Sequence, residues 1–421
     1  MRLFLVALAI GSCAGAAPLL AQGPSYPPDM VPLDKRQGIM ERRNAVLAED
    51  AEAAEELAAQ RRPPRIWGRA EFLLWWIRPA NFPPLVTTGP FTDRLPGALG
   101  LPDTRVLFGE RGIDFQHRTG GRFTFGTWVD DGQDWGIEAS YFFLSGRSLG
   151  EAFSSPGAPV LATPFFNVGT NAQDSSLITF PGILHGQVAV RAPSFMQGAD
   201  LNLIPVLHRD ESWHMEGLVG FRYLNLQEGL HIQSTSVVTL APQFQGMGIP
   251  FVDNTIQVSD RFDTSNHFFG GQLGARVEFK RKRWTLDVTG KVALGVNHEV
   301  VAISGTTKID TQPVIAADAG LLAVSSNSGR FTQNSFAVVP EAAFTLKFQV
   351  TENIRLFAGY SFLYWSRVAR PGDQVDQNVN PNLVPTSATF GTAGGPQRPA
   401  YLSRGGDFFA HGGNFGLEFR Y

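Results

Sequence analysis

The sequence predicts an all-β protein: a transmembrane antiparallel β-barrel of about ten strands, with twelve as an alternative count, and a short N-terminal helical extension. Three observations predict this fold. Apolar and polar residues alternate in several segments, as in the closing GNFGLEFRY, and such alternation indicates strands between an apolar and a polar medium. The connections between these segments alternate along the chain between tight turns and long loops. No apolar run after the N-terminus approaches the ~20 residues of a membrane helix, so a membrane-spanning form of this chain has to be a closed barrel.

The composition is consistent with strands and turns. The 421 residues are 43% hydrophobic and only 17% charged, with 45 glycines and 33 phenylalanines. The net charge of -3 provides no large basic field, so nucleic acid is not expected as a partner.

The first 22 residues have the layout of a secretory signal peptide. One Arg precedes an apolar stretch from Leu3 to Ile10, and small residues follow it. The single cysteine, Cys13, lies inside this segment, and two interpretations stay open. Cys13 is either a lipidated first residue of the mature chain or a spectator removed with the signal.

Residues 23–64 form a Pro-rich and helical extension, expected in the periplasm. The helix is predicted from Asp34 to Arg62, which is rich in Ala, Glu and Arg. Pro63 and Pro64 end it. Its apolar side is thin, which favours a solvated helix over a short coiled coil or a plug in a pore.

The barrel domain is predicted over residues 65–421. A first strand covers Ile66 to Ile77, and alternation continues through WGIEASYFF, WHMEGLVGFRY and WTLDVTGKVALGV to a closing strand from Asp407 to Tyr421. Each of the three quoted segments follows a strand and a tight polar turn, and Asp131-Gly132 is the strongest hairpin signal.

Long connections are predicted at 78–115, 147–194, 229–263, 299–333 and 368–407. All lie at one end, while both termini and four short turns lie at the other. This is the layout of bacterial outer-membrane barrels. A secreted sandwich or solenoid is the alternative, and five such loops at one end disfavour it.

Aromatic residues mark both ends of the predicted strands, as in the interfacial girdles of membrane barrels. Four candidates begin or end strands at the turn end: Trp135, Trp213, Trp284 and Tyr421. Two more mark the opposite end: Tyr364 and Trp365. Trp67 falls on the inward face, which leaves a one-residue shift of the first strand open.

Several segments resemble a known family. GFRYLNLQE, DRFDTSNHFFGGQLGARVEF, GKVALGVNHEV and YSFLYWSRVARPGDQVDQNVNPN are similar to signature segments of the bacterial beta barrel porin family of the seventh type. The similarity covers residues 66–421. It implies an outer-membrane β-barrel, located in the bacterial outer membrane, that is a porin by family name.

A repeated Trp-x-x-acid pattern places Glu138, Glu216 and Asp287 on the inward face near the turn end. A ring of free acids there would favour cations. The alternative is a lumen of salt bridges with inward basic residues. The full set of lumen-facing candidates is Glu138, Glu216, Asp287, Arg122, Arg276, Lys291 and Glu341.

The expected function is narrow-bore passage of small solutes or ions, since about ten strands leave little open water path. The alternative is a structural or adhesive surface barrel whose long loops bind partners. No catalytic residues, metal or cofactor are expected, because the histidines are scattered: His231, His267, His298 and His411. Calcium held by Asp373 and Asp376 is a minor alternative. The expected partners are outer-membrane lipid and, through the C-terminal strand, the barrel-assembly machinery.

Overall fold

The computed structural model describes residues 38, 40, 42–49, 64–110, 112, 116–245 and 248–421. It divides into two compact units, Met1–Pro63 and Pro64–Tyr421. In the first unit the described residues are helical, and Met40, Val46 and Leu47 are exposed. The predicted signal peptide with Cys13 and the rest of the predicted helix lie outside the described residues. None of the described helices is both long and apolar enough to cross a membrane.

The second unit is built from strands. Its described part contains sixteen: β1 (Ile66–Ile77), β2 (Val86–Thr88), β3 (Arg105–Phe108), β4 (His117–Trp128), β5 (Trp135–Ser155), β6 (Leu161–Asn167), β7 (Ala172–Thr179), β8 (Leu184–Arg209), β9 (Trp213–Val238), β10 (Thr255–Arg281), β11 (Trp284–Ile309), β12 (Ile315–Ala317), β13 (Gly329–Gln349), β14 (Ile354–Ala369), β15 (Asn378–Val379) and β16 (Gly405–Arg420). Short 3₁₀ helices at Pro242–Phe244, Pro371–Gln374 and Pro381–Leu383 interrupt the loops.

Ten of these strands close into an antiparallel barrel, which confirms the predicted fold. The order around the wall is β10-β9-β8-β5-β4-β1-β16-β14-β13-β11, and β10 pairs with β11 to complete the ring. The first and last strands pair from Trp67 opposite Arg420 to Ile77 opposite Ala410. Closure gives the backbone groups of every wall strand a partner on both sides.

Four short connections define what we call the turn end of the barrel. They span residues 129–134, 210–212, 282–283 and 350–353. In the first, the Asp130 carboxylate accepts the backbone N–H groups of Asp134 and Trp135 at 3.0 and 2.8 Å. The N–H of Arg65 donates to the carbonyl of Tyr421 at 2.7 Å, so both ends of the barrel chain meet here.

Near the turn end the wall is apolar outside and polar inside. Outward side chains such as Phe125, Leu203 and Phe221 are 40–59% exposed. Their inward neighbours, among them Arg222 and Glu138, are buried. This alternation is what lipid outside and a polar interior require.

Toward the opposite, loop end, the strands run longer than predicted. Strands β8, β9, β10 and β11 have 26 or 27 residues, so much of the predicted loops 147–194, 229–263 and 299–333 is strand. At ~3.3 Å per residue and a tilt of ~40°, such a strand rises roughly 65 Å, against an apolar band of ~25 Å.

The alternation inverts along these extensions. Inward Val190, Ile232 and Phe262 are fully buried, while outward Gln187 and Gln257 are exposed. The strands therefore leave lipid and enclose an apolar interior, as a water-exposed barrel does. This inversion ends the lipid-type pattern, although the strands continue.

A second sheet forms within the loop-end connections. It has the order β15-β6-β2-β3, and β7 pairs with β6. Its side chains share a hydrophobic core with the inner wall, in which Val86 and Phe165 cluster with Ile232 and Phe262. The loops therefore fold into the extended part of the barrel and pack on its inner wall.

Candidate functional site

The inward polar residues near the turn end form one layer of buried ion pairs, which we call the charged layer. Arg276 lies at one centre of it. Its guanidinium donates to Glu138 Oε1 at 2.7 Å and to Glu216 Oε2 at 3.0 Å. The Trp67 indole donates to Glu138 Oε2 at 3.0 Å. Two of the predicted ring acids are therefore held by one cation.

Trp67 points inward, so the first strand has the predicted register and no one-residue shift. Gly126 lies opposite it on β4. A Cβ at position 126 would lie 2.2 Å from the Trp67 indole ring. The glycine leaves the space into which the indole turns.

A second centre joins two acids to three bases. Arg222 Nε donates to Asp200 Oδ1 at 2.7 Å and the guanidinium also bonds Glu341. Lys291 Nζ lies 2.9 Å from Asp200 and 3.3 Å from Glu341. Arg122 Nη2 lies 3.3 Å from the other Glu341 oxygen.

The third centre is Lys347, whose side chain is 1% exposed. Its ammonium lies 2.7 Å from Glu278, 2.8 Å from Asp287 and 3.3 Å from Glu418. Arg69 also binds Glu418 at 2.7 Å. All seven lumen candidates thus lie in the charged layer, each with an ion-pair partner, rather than as a free ring of acids.

The charged layer leaves little space. The cavity among its side chains measures about 60 Å³. A water molecule needs about 10–15 Å³ measured in this way, so the cavity holds only a few waters.

An apolar layer lies directly above the charged layer, toward the loop end. It includes Trp75, Phe142, Phe268, Trp365 and Phe408, each at most 4% exposed. Arg122 bridges the two layers, with its guanidinium 5.6 Å from the Trp75 ring and 5.5 Å from the Phe142 ring. The two layers together fill the barrel cross-section with side chains.

The aromatic girdle candidates differ in position. Trp135, Trp284 and Tyr421 are 47%, 50% and 72% exposed on the outer face. Trp213 is partly exposed, with its ring stacked 3.9 Å from His208. Tyr364 is partly exposed as well.

Trp365 corrects the girdle prediction, because its side chain is fully buried in the apolar layer. Adjacent residues of a strand face opposite sides. Tyr364 and Trp365 therefore could not both reach lipid, and the inward parity of Trp365 was missed.

Of the two loop acids considered for calcium, Asp376 is engaged by neighbouring side-chain and backbone donors. Asp376 accepts the Arg398 guanidinium at 2.7 Å and the Ala400 N–H at 2.9 Å. Its other oxygen accepts from Asn378. Within the described ranges no group of three or more His, Cys, Asp or Glu side chains could hold a metal.

Sequence reasoning missed the interior of the loop end. Arg370 forms a two-pronged pair with Glu228, at 2.5 and 2.9 Å, that ties the last loop to β9. Beyond this pair a cavity of about 830 Å³ opens between the loops and the wall. The inverted alternation of β9 and β10 is the sequence signal that could have revealed it.

A comparison with protein-family models agrees with this architecture. A family model described as "Putative beta barrel porin-7" matches residues 67–421. A search of the curated proteins found no match.

Solved outer-membrane proteins are similar to the chain at low identity. The outer membrane protease OmpT of Escherichia coli is 10% identical, with 85% of this chain and 97% of that chain covered and a TM-score of 0.37. The toluene transporter TodX of P. putida is 8% identical, with 85% and 90% covered and a TM-score of 0.20. Such values say nothing about activity.

Proposed function

Because the chain belongs to the beta barrel porin-7 family and sits in the bacterial outer membrane, we propose that it works there as a closed surface barrel. In this proposal the membrane-spanning half conducts little or nothing. The extracellular half, which is the loop end, binds molecules that arrive from outside. This corresponds to the surface-barrel alternative rather than to narrow-bore passage.

The filling of the lumen carries this proposal. Arg276, Arg222 and Lys347 each hold two or three carboxylates across the barrel interior. A passing ion would have to displace buried pairs, and breaking one such pair costs ~3–5 kcal/mol. The apolar layer above adds a dry barrier.

The pairing also bears on ion preference. Glu138, Glu216 and Asp287 are neutralised by Arg276 and Lys347, so they do not form a cation-attracting ring in the folded barrel. Replacing them with Gln or Asn should loosen the charged layer and raise conductance, because it leaves buried cations without partners.

Conductance in planar lipid bilayers tests the proposal. The full-length protein, inserted from detergent, should give no steps or very small ones. The Glu138→Gln/Glu216→Gln variant, inserted in parallel, should give larger steps and so verify insertion. Large, weakly selective steps from the unmodified protein would favour an open pore.

The processing of the N-terminus is proposed from its sequence. Residues 1–22 act as a signal peptide and 23–64 as a periplasmic extension ahead of the barrel at 65–421. The intact mass of the mature protein tests this, since cleavage near residue 22 excludes Cys13 whereas lipidation adds acyl mass at Cys13.

The C-terminal strand is proposed to meet the barrel-assembly machinery. Phe415, Leu417 and Phe419 are 43–50% exposed on the outer face of β16. In the finished barrel this row contacts outer-membrane lipid, and β16 pairs with β1.

A further inference from the structure

The loop-end cavity is separate from the charged layer. Its volume of about 830 Å³ falls in the ~300–1,000 Å³ range of small-molecule sites. One wall is the hairpin of β6 and β7, and the second is the inner face of β9 and β10. The third is the loop segment 380–395.

The polar lining of this cavity is uncharged over most of its surface. None of its described lining residues is Lys, Arg or His. The hydroxyls of Thr163, Ser176 and Ser234 face it and make no hydrogen bond within the described parts of the chain. Apolar Ile232 and Val258 complete the same wall. The cavity thus offers hydroxyl groups beside apolar surface.

One buried carboxylate also lines the cavity. Asp260 is 3% exposed, and its Oδ1 accepts the backbone N–H groups of Leu321, Leu322 and Ala323 at 3.0, 3.0 and 2.8 Å. Its Oδ2 has no hydrogen-bond partner among the described residues. Asp260 lines the cavity, so the hydroxyl of a bound ligand can donate to this free carboxylate oxygen.

We propose that this cavity binds an uncharged polyhydroxylated molecule, a neutral oligosaccharide. The ligand's hydroxyls donate to Asp260 Oδ2 and exchange hydrogen bonds with Thr163, Ser176 and Ser234. Its C–H faces pack on the apolar wall. This inference rests on the proposed function, because it supplies the ligand of the extracellular half.

Other ligand classes fit the lining less well. An anion would find no basic side chain and would face Asp260. A hydrocarbon would leave the free hydroxyls and Oδ2 without partners. A cationic amine could pair with Asp260 Oδ2. The other acid of the lining, Asp174, is already bonded to Asn167 and to the N–H of Ser175, so a polyamine would find no second free carboxylate.

Titration calorimetry on the full-length protein tests the inference. The protein is kept in lauryldimethylamine oxide, which carries no sugar. Maltotriose, cellotriose and chitotriose are the neutral probes, trigalacturonate is the anionic probe and spermidine the cationic one. At least one neutral trisaccharide should bind, and neither charged probe should bind more tightly.

Three variants locate the binding. Asp260→Asn keeps the shape of the side chain and an oxygen for the backbone donors, but replaces the free acceptor; affinity should fall about tenfold or more. Ser234→Leu, which fills the cavity, should have a similar effect. Thr235→Leu, one residue along and on the outer face of β9, should bind normally.

The outcomes separate this inference from the proposed function. If no neutral trisaccharide binds, if a charged probe is preferred, or if Asp260→Asn binds as the unmodified protein does, the inference is wrong while a closed barrel stands. If the unmodified barrel conducts strongly, the proposed function is wrong whatever the sugars do. Heat-dependent gel mobility checks that each variant is folded. If Ser234→Leu does not fold, the isosteric Asp260→Asn variant alone tests whether the sugar binds in this cavity.

Discussion

Replacing Lys347 with Met should both destabilise the barrel and open it to ions. The Lys347 ammonium sits among Glu278, Asp287 and Glu418, at 2.7, 2.8 and 3.3 Å, and is 1% exposed. Methionine has a similar length and no charge. The variant therefore keeps the packing and removes the shared cation of three buried acids.

The three acids do not lose equally. Glu418 keeps Arg69 at 2.7 Å and Arg355 at 3.3 Å, and Glu278 keeps Arg420 at 3.5 Å. Asp287 keeps one direct partner, the hydroxyl of Thr289 at 2.9 Å, and the more distant charges of Arg276 and Arg69. The cost therefore falls mainly on Asp287, which loses its only direct ion pair, and amounts to at most ~3–5 kcal/mol.

Two measurements follow from this. The temperature at which the folded band converts to the unfolded band on a detergent gel should fall. A loss of ~3–5 kcal/mol, at ~2–4 °C for each kcal/mol, lowers it by at most roughly 6 to 20 °C. In planar bilayers the variant should show cation-preferring steps, because water must enter to solvate Asp287.

Matched variants sharpen the result. Lys347→Met/Asp287→Asn also removes the carboxylate that has lost its ion pair and should recover most of the stability. Lys308→Met, an exposed position on β11, should change neither measurement. If Lys347→Met is as stable and as closed as the unmodified protein, the charged layer does not seal the lumen.

Three further predictions follow from other parts of the structure. Changing Phe419 and Tyr421 together to Asp should reduce the yield of heat-modifiable protein in the outer-membrane fraction, since both side chains are exposed at the end of the lipid-facing row. As a control, changing the exposed residues Thr306 and Lys308 to Asp should leave the yield unchanged. Trp365→Ala should cost ~3–5 kcal/mol and lower the gel transition temperature, whereas Tyr364→Ala, the next residue but outward, should lower it less; equal effects would contradict the inward position. Burial raises the pKa of Asp260 to about 6, and its carboxyl atoms contact backbone N–H groups rather than another titratable side chain among the described residues. Affinity for a neutral trisaccharide should therefore be constant above pH 7 and fall between pH 7 and 5, as the acceptor gains a proton. In calorimetry Asp260→Asn should remove this pH dependence, and a flat profile for the unmodified protein would count against Asp260 as the acceptor.

The membrane-spanning half could be predicted because lipid dictates it residue by residue. Phe415, Leu417 and Phe419 must face outward, which fixes the inward parity of Asn414 and Glu418. The same parity placed Glu138, Glu216 and Asp287 in the lumen. It would also have placed Trp365 there, had the rule been applied to both members of the Tyr364–Trp365 pair.

The partners of the lumen acids could not be predicted in the same way. Arg276 binds Glu138, which is 138 positions away in the chain. These contacts cross the barrel interior and depend on strand tilt and stagger, which alternation leaves undetermined. Asp260 was hidden for another reason, since its backbone donors come from a loop without a repeating pattern.

The inversion of the outer face has a consequence for how this sequence can vary among relatives. Near the turn end, outward Phe221 and Leu273 face lipid, which tolerates few residue types. Above the membrane, outward Gln187, Gln233 and Gln257 are exposed to water, which tolerates many polar residue types. Substitutions should therefore accumulate on the upper outer wall, while the sealed interior and the lipid-facing belt stay constant.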